Sequence, residues 1–405
     1  MKGGNLNQIV VHNPVLPGFH PDPSLCKAGE DYYIATSSFE YFPGVVIYKS
    51  RNLQNWTICS YALTRKEQLN MEGNPPSGGI WAPCLSFDKG TFYLIFTDTK
   101  SWSGAFNTGG FKDTHNYLTT ASSIEGPWSN PIYLNSSGFD PSLFHDDDGK
   151  KWLVNMIWDY RNWEHNFAGI VLQEFDEEKQ SLIGPRKNIF NGTDLKITEA
   201  PHIYKRNGFY YLMTAEGGTS YFHAVTLARS IKLDGPYELH PHKYLLTSVA
   251  NRAALEDELA GGGFNIKSLA LHKGLQKAGH GSMAPWTGNE WILAHLCSRP
   301  IEENGRCPLG RETALQKIIW KDDNWPYLIG TGASETVSFS GKKNIESSEK
   351  SGNTVFWIDN FDKDSWDIKL NTLRIPAGDN FSLKDRPGWL RLYGAESPVS
   401  RFNQT

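Results

Sequence analysis

Three carboxylates in this chain stand just ahead of a proline. Asp22 precedes Pro23, Asp140 precedes Pro141, and Glu199 comes one residue before Ala200-Pro201. Two acids facing each other across a cavity can hydrolyse a glycosidic bond: the ionised one activates a water, and the protonated one delivers its proton to the leaving oxygen. A third acid beside the second orients it and raises its pKa through like-charge repulsion. Read one at a time, Asp-Pro and Glu-Ala-Pro are turn chemistry. What favours catalysis is their position within a repeat.

The repeat is a Pro-x-apolar stretch followed ten or eleven residues later by an aromatic-aliphatic pair. Pro23-Ser24-Leu25 leads to Tyr33-Ile34, Pro83-Cys84-Leu85 to Tyr93-Leu94, Pro141-Ser142-Leu143 to Trp152-Leu153, and Pro201-His202-Ile203 to Tyr211-Leu212. A weaker fifth copy runs from Gly281-Ser282-Met283 to Trp291-Ile292. The residues just ahead are Asp22, Trp81-Ala82, Asp140, Glu199-Ala200 and His280. Short β-branched and aromatic runs follow Gly-bearing turns such as Lys89-Gly90 and Asn207-Gly208, which reads as one hairpin per repeat. Segments ending in Trp56, Trp128 and Tyr237 recur later in the unit and supply an aromatic that pins one blade to the next. Roughly 60 residues per all-β repeat suits a four-stranded propeller blade. Five copies predict a five-bladed β-propeller in which Asp22, Asp140 and Glu199 share one funnel.

The propeller is expected over 9–333. The last interval is longer, and its excess, 251–273, reads as a surface insertion with one short helix. Residues 334–353, rich in Ser, Lys, Glu and Gly, suit a linker. A new β pattern starts at Thr354, and 354–405 is too short for an independent sandwich. The expected architecture is all-β: a five-bladed propeller followed by the beginning of a truncated β-sandwich module.

Composition sets limits. The chain has 405 residues, 39% hydrophobic and 21% charged, with a formal net charge of −4. That balance argues against a general nucleic-acid or anionic-membrane binder. The 14 Trp, 17 Tyr and 21 Phe serve β packing and sugar stacking alike. Five scattered cysteines suggest no disulfide framework and no zinc site, with a Cys297–Cys307 hairpin pair left open. The start of the chain lacks an apolar secretory segment, so a cytoplasmic protein is expected, or a secreted one if a leader was removed. No apolar run approaches transmembrane length.

Together, Gly18-Phe19-His20-Pro21-Asp22-Pro23, Ser38-Phe39-Glu40-Tyr41-Phe42-Pro43-Gly44, Ile80-Trp81-Ala82-Pro83, Phe139-Asp140-Pro141-Ser142, Thr198-Glu199-Ala200-Pro201-His202, Gly279-His280-Gly281 and Arg306-Cys307-Pro308-Leu309-Gly310-Arg311-Glu312-Thr313 resemble glycoside hydrolase family 43, most closely its β-xylosidase branch. The resemblance spans roughly residues 9–400. It implies an inverting, exo-acting hydrolase releasing xylose from the non-reducing ends of β-1,4-xylo-oligosaccharides. Asp22 would be the general base, Glu199 the general acid, and Asp140 the residue that orients Glu199 and tunes its pKa. Arg311 would bind sugar hydroxyls, while Phe39 and Trp81 form an apolar wall. His280 matches an axial histidine that in some members holds calcium through water. No cofactor is implied, no metal is ligated directly, and oligomerisation is left open. An α-L-arabinofuranosidase on arabinoxylan fragments is the alternative activity, and a non-catalytic glycan-binding propeller the alternative class.

Overall fold

The computed structural model of the chain describes residues 8–102, 112–159, 167–195, 197–249, 274–300, 307–341, 357–376 and 378–394. Five four-stranded antiparallel sheets follow one another along the chain. Blade I comprises Ser24–Ala28, Asp31–Thr36, Gly44–Ser50 and Thr57–Leu63. Blade II comprises Gly79–Asp88, Thr91–Trp102, Lys112–Ala121 and Ile132–Asn135. Blade III comprises Gly138–His145, Lys151–Trp158, Phe167–Asp176 and Ser181–Phe190. Thr198–Arg206, Phe209–Glu216, Ala224–Ser230 and Glu238–Thr247 form blade IV, and Gln276–Thr287, Glu290–Ser298, Glu312–Trp320 and Pro326–Leu328 form blade V. The expected five-bladed propeller is the fold. Its first hairpins turn on Lys89-Gly90 and Asn207-Gly208, where both residues have positive φ, the geometry that matches the twist of the flanking strands.

Each blade is apolar on both faces because each face meets a neighbour, and the buried clusters lie between blades. Leu85, Leu94 and Phe96 of blade II pack with Tyr33, Ile47 and Leu63 of blade I. Cys84, Tyr93 and Ile95 on the other face of blade II meet Leu143 and Leu153 of blade III. The turn aromatics pin the blades as expected: Trp56 is buried in the cluster joining blades I and V, and Trp128 in the one joining I and II. Both indoles also close their own turns, donating to Leu53 O at 3.0 Å and Ile124 O at 3.3 Å.

The residue after each repeat proline serves the axis. Ser24 Oγ accepts from Leu85 N, and Ser282 Oγ accepts from Leu25 N, each at 2.9 Å. Ser282 Oγ also donates to Pro23 O at 2.7 Å, and Ser142 Oγ donates to Pro201 O at 2.5 Å. Cys84 Sγ lies 3.8 Å from His202 Nδ1. Small polar side chains here let the innermost strands approach while satisfying backbone groups that the axis hides from water.

The ring closes through the chain's beginning. Ile9–His12 pairs antiparallel with Thr336–Phe339 beside blade V. Residues 336–339 are therefore a strand, where a linker was expected from 334. The Ser- and Lys-rich composition misled because a closing strand needs only two inward apolar residues, here Val337 and Phe339. Asn13 locks the closure: its Nδ2 donates to Leu315 O at 2.7 Å and Ser334 O at 2.8 Å, and its Oδ1 accepts from Leu315 N at 2.8 Å.

Beyond residue 357 the described chain forms two small pairings, Thr372–Leu373 on Tyr41–Phe42 of the propeller and Phe381–Ser382 on Arg391–Leu392. The insertion expected at 251–273 lies outside the described residues, and so does 342–353 of the expected linker. Among the described residues no helix is long and apolar enough to cross a membrane. None of the five cysteines, Cys297 and Cys307 included, is in a disulfide.

Asn13→Ala would strip Leu315 N–H and Leu315 O of their side-chain partner and leave Ser334 O only the donor Gln316 Nε2, at 3.1 Å. A loss of about 2–4 kcal/mol is expected, from roughly 1–3 kcal/mol for each buried group left unsatisfied and partial recovery by water. Urea denaturation checks it, and an unchanged midpoint would show that closure does not depend on this side chain.

Candidate active site

Asp22, Ala82, Asp140, Ala200 and His280 occupy the same place in the five blades, and all five are left-handed, with φ of 57°, 38°, 53°, 49° and 47°. Such a backbone costs of order 1–3 kcal/mol per non-glycine residue. In blades II to V it coincides with a break in strand register, between Trp81 and Cys84, Phe139 and Ser142, Glu199 and His202, and Gly279 and Gly281. Bulges of this kind re-aim side chains, and they are common beside active sites. They also refine the sequence reading. Asp22 and Asp140 sit at the kink itself, whereas Glu199 and Trp81 come from the position before it. The three acids are thus not strictly equivalent, yet the structure gathers them: Asp140 senses the charges of Glu199 and Asp22, and Glu199 that of Asp22.

Asp22 is buried and richly supported. Ala82 N–H donates to Ser37 Oγ at 2.7 Å, and Ser37 Oγ donates in turn to Asp22 Oδ2 at 2.7 Å. Oδ1 faces Arg311 Nη1 at 3.5 Å and His280 Nδ1 at 3.6 Å. Burial pushes the Asp22 pKa up, but Arg311, His280 and the Ser37 hydroxyl together outweigh it and hold the carboxyl below its ordinary value. Oδ1 is buried with no hydrogen-bond partner among the described residues. An ionised, oriented carboxylate with one oxygen uncommitted to a hydrogen bond is equipped to take a proton from a water bound beside it.

Asp140 and Glu199 are displaced the other way. Burial, then the neighbouring Glu199 and Asp22, push Asp140 well up. Burial, then Asp22, raise Glu199 to about 7, against the pull of Arg311. Two buried carboxyls this close release their protons as a pair. Ala200 N–H donates to Asp140 Oδ2 at 3.1 Å, which offsets part of the rise at Asp140. The cluster therefore holds an ionised acid on one side and a proton on the other.

Aromatic side chains wall the cluster. The Arg311 guanidinium lies 4.8 Å from the Phe39 ring centre, which ties the cation to both Asp22 and the wall. Phe39 packs 6.0 Å from Trp81, and Trp81 lies 5.1 Å from Trp102 and 5.8 Å from Phe139. Trp158 continues the row at 5.5 Å from Trp102. All seven sequence-predicted residues converge. Arg311 is set by its neighbours: His20 N–H donates to Arg311 O at 2.9 Å, and buried Glu312 accepts from Gly18 N and, bidentately, from Arg299, each at 2.8 Å.

Sequence reasoning missed Ser37, Trp102, Trp158 and His223. Buried His223 lies close enough to Asp22 and His280 to sense both, and its Nδ1 lies 3.1 Å from Lys277 O. A Cβ at Gly279 would sit 2.2 Å from its imidazole, which explains glycine beside His280. Burial lowers the pKa of His280 despite the pull of Asp22, so its imidazole tends to the neutral form. The axial donors below it are serine hydroxyls already committed to backbone groups, a thiol and an imidazole. Calcium prefers several oxygen ligands, so these side chains do not fit direct ligation.

A propeller that presents paired, oppositely tuned carboxyls in an aromatic-walled funnel is the apparatus of a glycoside hydrolase. The sequence profile of Glycosyl hydrolases family 43 matches residues 11–326, and that of a Beta xylosidase C-terminal Concanavalin A-like domain matches 358–405. The chain is 49% identical to a Beta-xylosidase of Bacillus subtilis (strain 168), over 97% of this chain and 70% of that protein. It is 50% identical to Xylosidase/arabinosidase 43B of Humicola insolens, over 97% of this chain and 68% of that one. The crystal structure of xylan beta-1,4-xylosidase from Bacillus halodurans C-125 superposes with a TM-score of 0.82 at 53% identity, covering 96% of this chain and 69% of that one. The chain belongs to glycosyl hydrolase family 43.

Ser37→Ala would remove the donor at Asp22 Oδ2. A hydrogen bond to a charged group contributes about 1.5–3 kcal/mol, and 1.36 kcal/mol is one pKa unit. The base must be ionised, so losing a bond that favours the ionised form raises its pKa. The acidic limb of kcat/KM should move up by about one pH unit, read from pH profiles on an aryl glycoside. An unmoved limb would remove Ser37 from the tuning of Asp22.

Proposed function

We propose that the chain is an inverting exo-β-xylosidase that removes xylose from the non-reducing ends of β-1,4-xylo-oligosaccharides. The observation that carries this reading is the pairing of a low-pKa Asp22, one oxygen uncommitted to a hydrogen bond, with a proton held high on the Asp140–Glu199 pair. The relatives named for xylosidase activity support the choice of sugar.

Asp22 Oδ1 takes a proton from a water positioned against the anomeric carbon. The water oxygen bonds to that carbon as its bond to the leaving oxygen breaks, and Glu199 protonates the leaving oxygen. Attack from the face opposite the departing group inverts the anomeric centre, for which base and acid stand roughly 6.5–9.5 Å apart. Asp140, bonded to the Ala200 amide beside Glu199, orients the acid, whose pKa burial and the Asp22 charge raise. Arg311, held against both Asp22 and Phe39, donates to sugar hydroxyls, while Phe39 and Trp81 pack on the apolar face of the ring. Asp22 then returns its proton to solvent and Glu199 is reprotonated. No step requires a metal. α-L-Arabinofuranoside hydrolysis is the second reading, favoured by the relative named Xylosidase/arabinosidase.

Turnover of p-nitrophenyl β-xyloside compared with the α-arabinofuranoside tests the choice. Hydrolysis of neither, with sugar still bound, would overturn the enzymatic reading. Proton NMR of the first product should show α-xylose; β-xylose appearing first would refute inversion.

Glu199→Ala should slow xylobiose by about 10²–10⁴-fold and the aryl xyloside far less, because a good leaving group needs little acid assistance. Asp22→Ala should abolish turnover of both. Equal residual rates in the two variants would contradict these roles. In the parent enzyme kcat/KM should fall as pH rises through about 7, where the proton held by the Asp140–Glu199 pair is lost.

A further inference from the structure

Arg374, in the segment after the propeller, is 1% exposed and left-handed at φ 63°. Its Nε donates to Asn74 O at 2.8 Å, and its backbone N–H donates to Glu40 O at 2.7 Å. One residue thus grips two propeller loops that are distant in sequence. Both loops lead into the pocket wall. Glu40 follows Phe39 directly, and its Oε1 accepts from Ser77 N at 3.1 Å. Ser77 O in turn accepts from Trp81 Nε1 at 2.8 Å. Phe39 and Ile80 exchange backbone hydrogen bonds at 2.9 and 3.0 Å. They approach so closely that a Cβ at Gly79, φ 76°, would sit 2.4 Å from Phe39 O. The two-residue strand just before Arg374 is itself held by Thr372 and Leu373 pairing with Phe42 and Tyr41, and the residue ahead of it, Asn371, by its Nδ2, which donates to Tyr61 OH at 3.3 Å.

We infer that Arg374 is a positioning residue for the sugar-binding wall: it sets the spacing of Phe39 and Trp81 from outside the propeller, and with it the discrimination among pentosides. The inference rests on the proposed reading of the funnel as a pentoside site. A guanidinium suits the task because its planar, directional donors hold a carbonyl in a defined orientation, which a flexible ammonium does not. Small displacements of a positioning group far from the chemistry are enough to cost large factors in rate.

The test compares the 405-residue chain with Arg374→Met, Arg374→Lys and, as a control for stability alone, Phe339→Leu at the ring closure. In Arg374→Met, kcat/KM on p-nitrophenyl β-xyloside should fall about tenfold, mainly through KM. The ratio of xyloside to α-arabinofuranoside activity should shift by about threefold or more, a rough allowance for a partial loss of positioning. Xylose affinity, followed by tryptophan fluorescence, should weaken in parallel, and Arg374→Lys should restore the values in part. An unchanged KM and ratio in Arg374→Met would overturn the inference, as would the same ratio shift in Phe339→Leu. Should Arg374→Met not fold, Asn371→Ala loosens the same strand and should move the ratio in the same direction; no movement refutes it. Should the parent hydrolyse neither glycoside, the proposed activity fails while xylose affinity in the variants still decides the role of Arg374.

Discussion

The fold and its chemistry meet at a single backbone constraint: one left-handed residue at the mouth-side end of each innermost strand. A propeller strand left regular would keep alternating its side chains between the two neighbouring blades, where apolar residues belong. A kink breaks that alternation and frees one or two side chains per blade to face the axis instead. The cost recurs five times, and it is sustained because packing on either side over-determines each strand. Leu25, Leu85 and Leu143, buried two residues beyond the proline in blades I to III, anchor the strand just past the kink. The small polar residue between proline and anchor ties it to the next blade. Proline, left-handed residue and axial hydroxyl therefore work as one device, which explains why they travel together in the sequence.

From that device follows the electrostatics. Three acids delivered to one enclosed space cannot all ionise cheaply, and the surrounding groups decide which does. Arg311, His280 and the Ser37 hydroxyl all face Asp22, so the charge settles there. Burial and the Asp22 charge push both Asp140 and Glu199 up, Glu199 adds to the rise at Asp140, and the Ala200 amide (at Asp140) and Arg311 only temper it. The asymmetry that separates a base from an acid thus comes less from the acids, which are chemically alike, than from one cation and one hydroxyl held on the same side. Arg311 carries much of this. It comes from blade V, and the segment Gly18–His20 laces it to the approach to Asp22, so the base and its counter-ion are positioned by the contact that also joins the first blade to the last.

This division explains what was legible in the sequence. The five repeats and the residues ahead of their prolines could be read because a propeller repeats its local rules, and departures such as Asp22 or His280 stand out against the pattern. Ser37, Trp102 and Trp158 could not. Each lies at or just beyond the end of a second strand, where no proline marks the position and a serine or tryptophan is unremarkable in a β protein. Their clue was spacing: Trp102 and Trp158 close long aromatic-rich strands just before the chain turns back. The one-residue offset of Glu199 and Trp81 was visible as Glu-Ala-Pro and Trp-Ala-Pro beside Asp-Pro, but only the register breaks show which residue occupies the kink. The closing strand at 336–339 was hidden for another reason. Its partner lies more than 300 residues earlier, and no local pattern reveals a pairing of that range.

The same argument extends beyond the propeller. Phe39 and Trp81 are held by loops, and loops lack the axial device that fixes the acids. Their positions depend on hydrogen bonds between the Phe39–Glu40 and Asn74–Ile80 segments and on whatever packs behind them. Arg374 packs there, nearly inaccessible to solvent, bonded to both segments. The acids that carry the reaction are thus positioned from within the ring, while the walls that select the sugar are braced from outside it. Changes in the segment after the propeller can then alter which pentoside is accepted without disturbing how its bond is broken, a separation of chemistry from selectivity that follows from where each group is anchored.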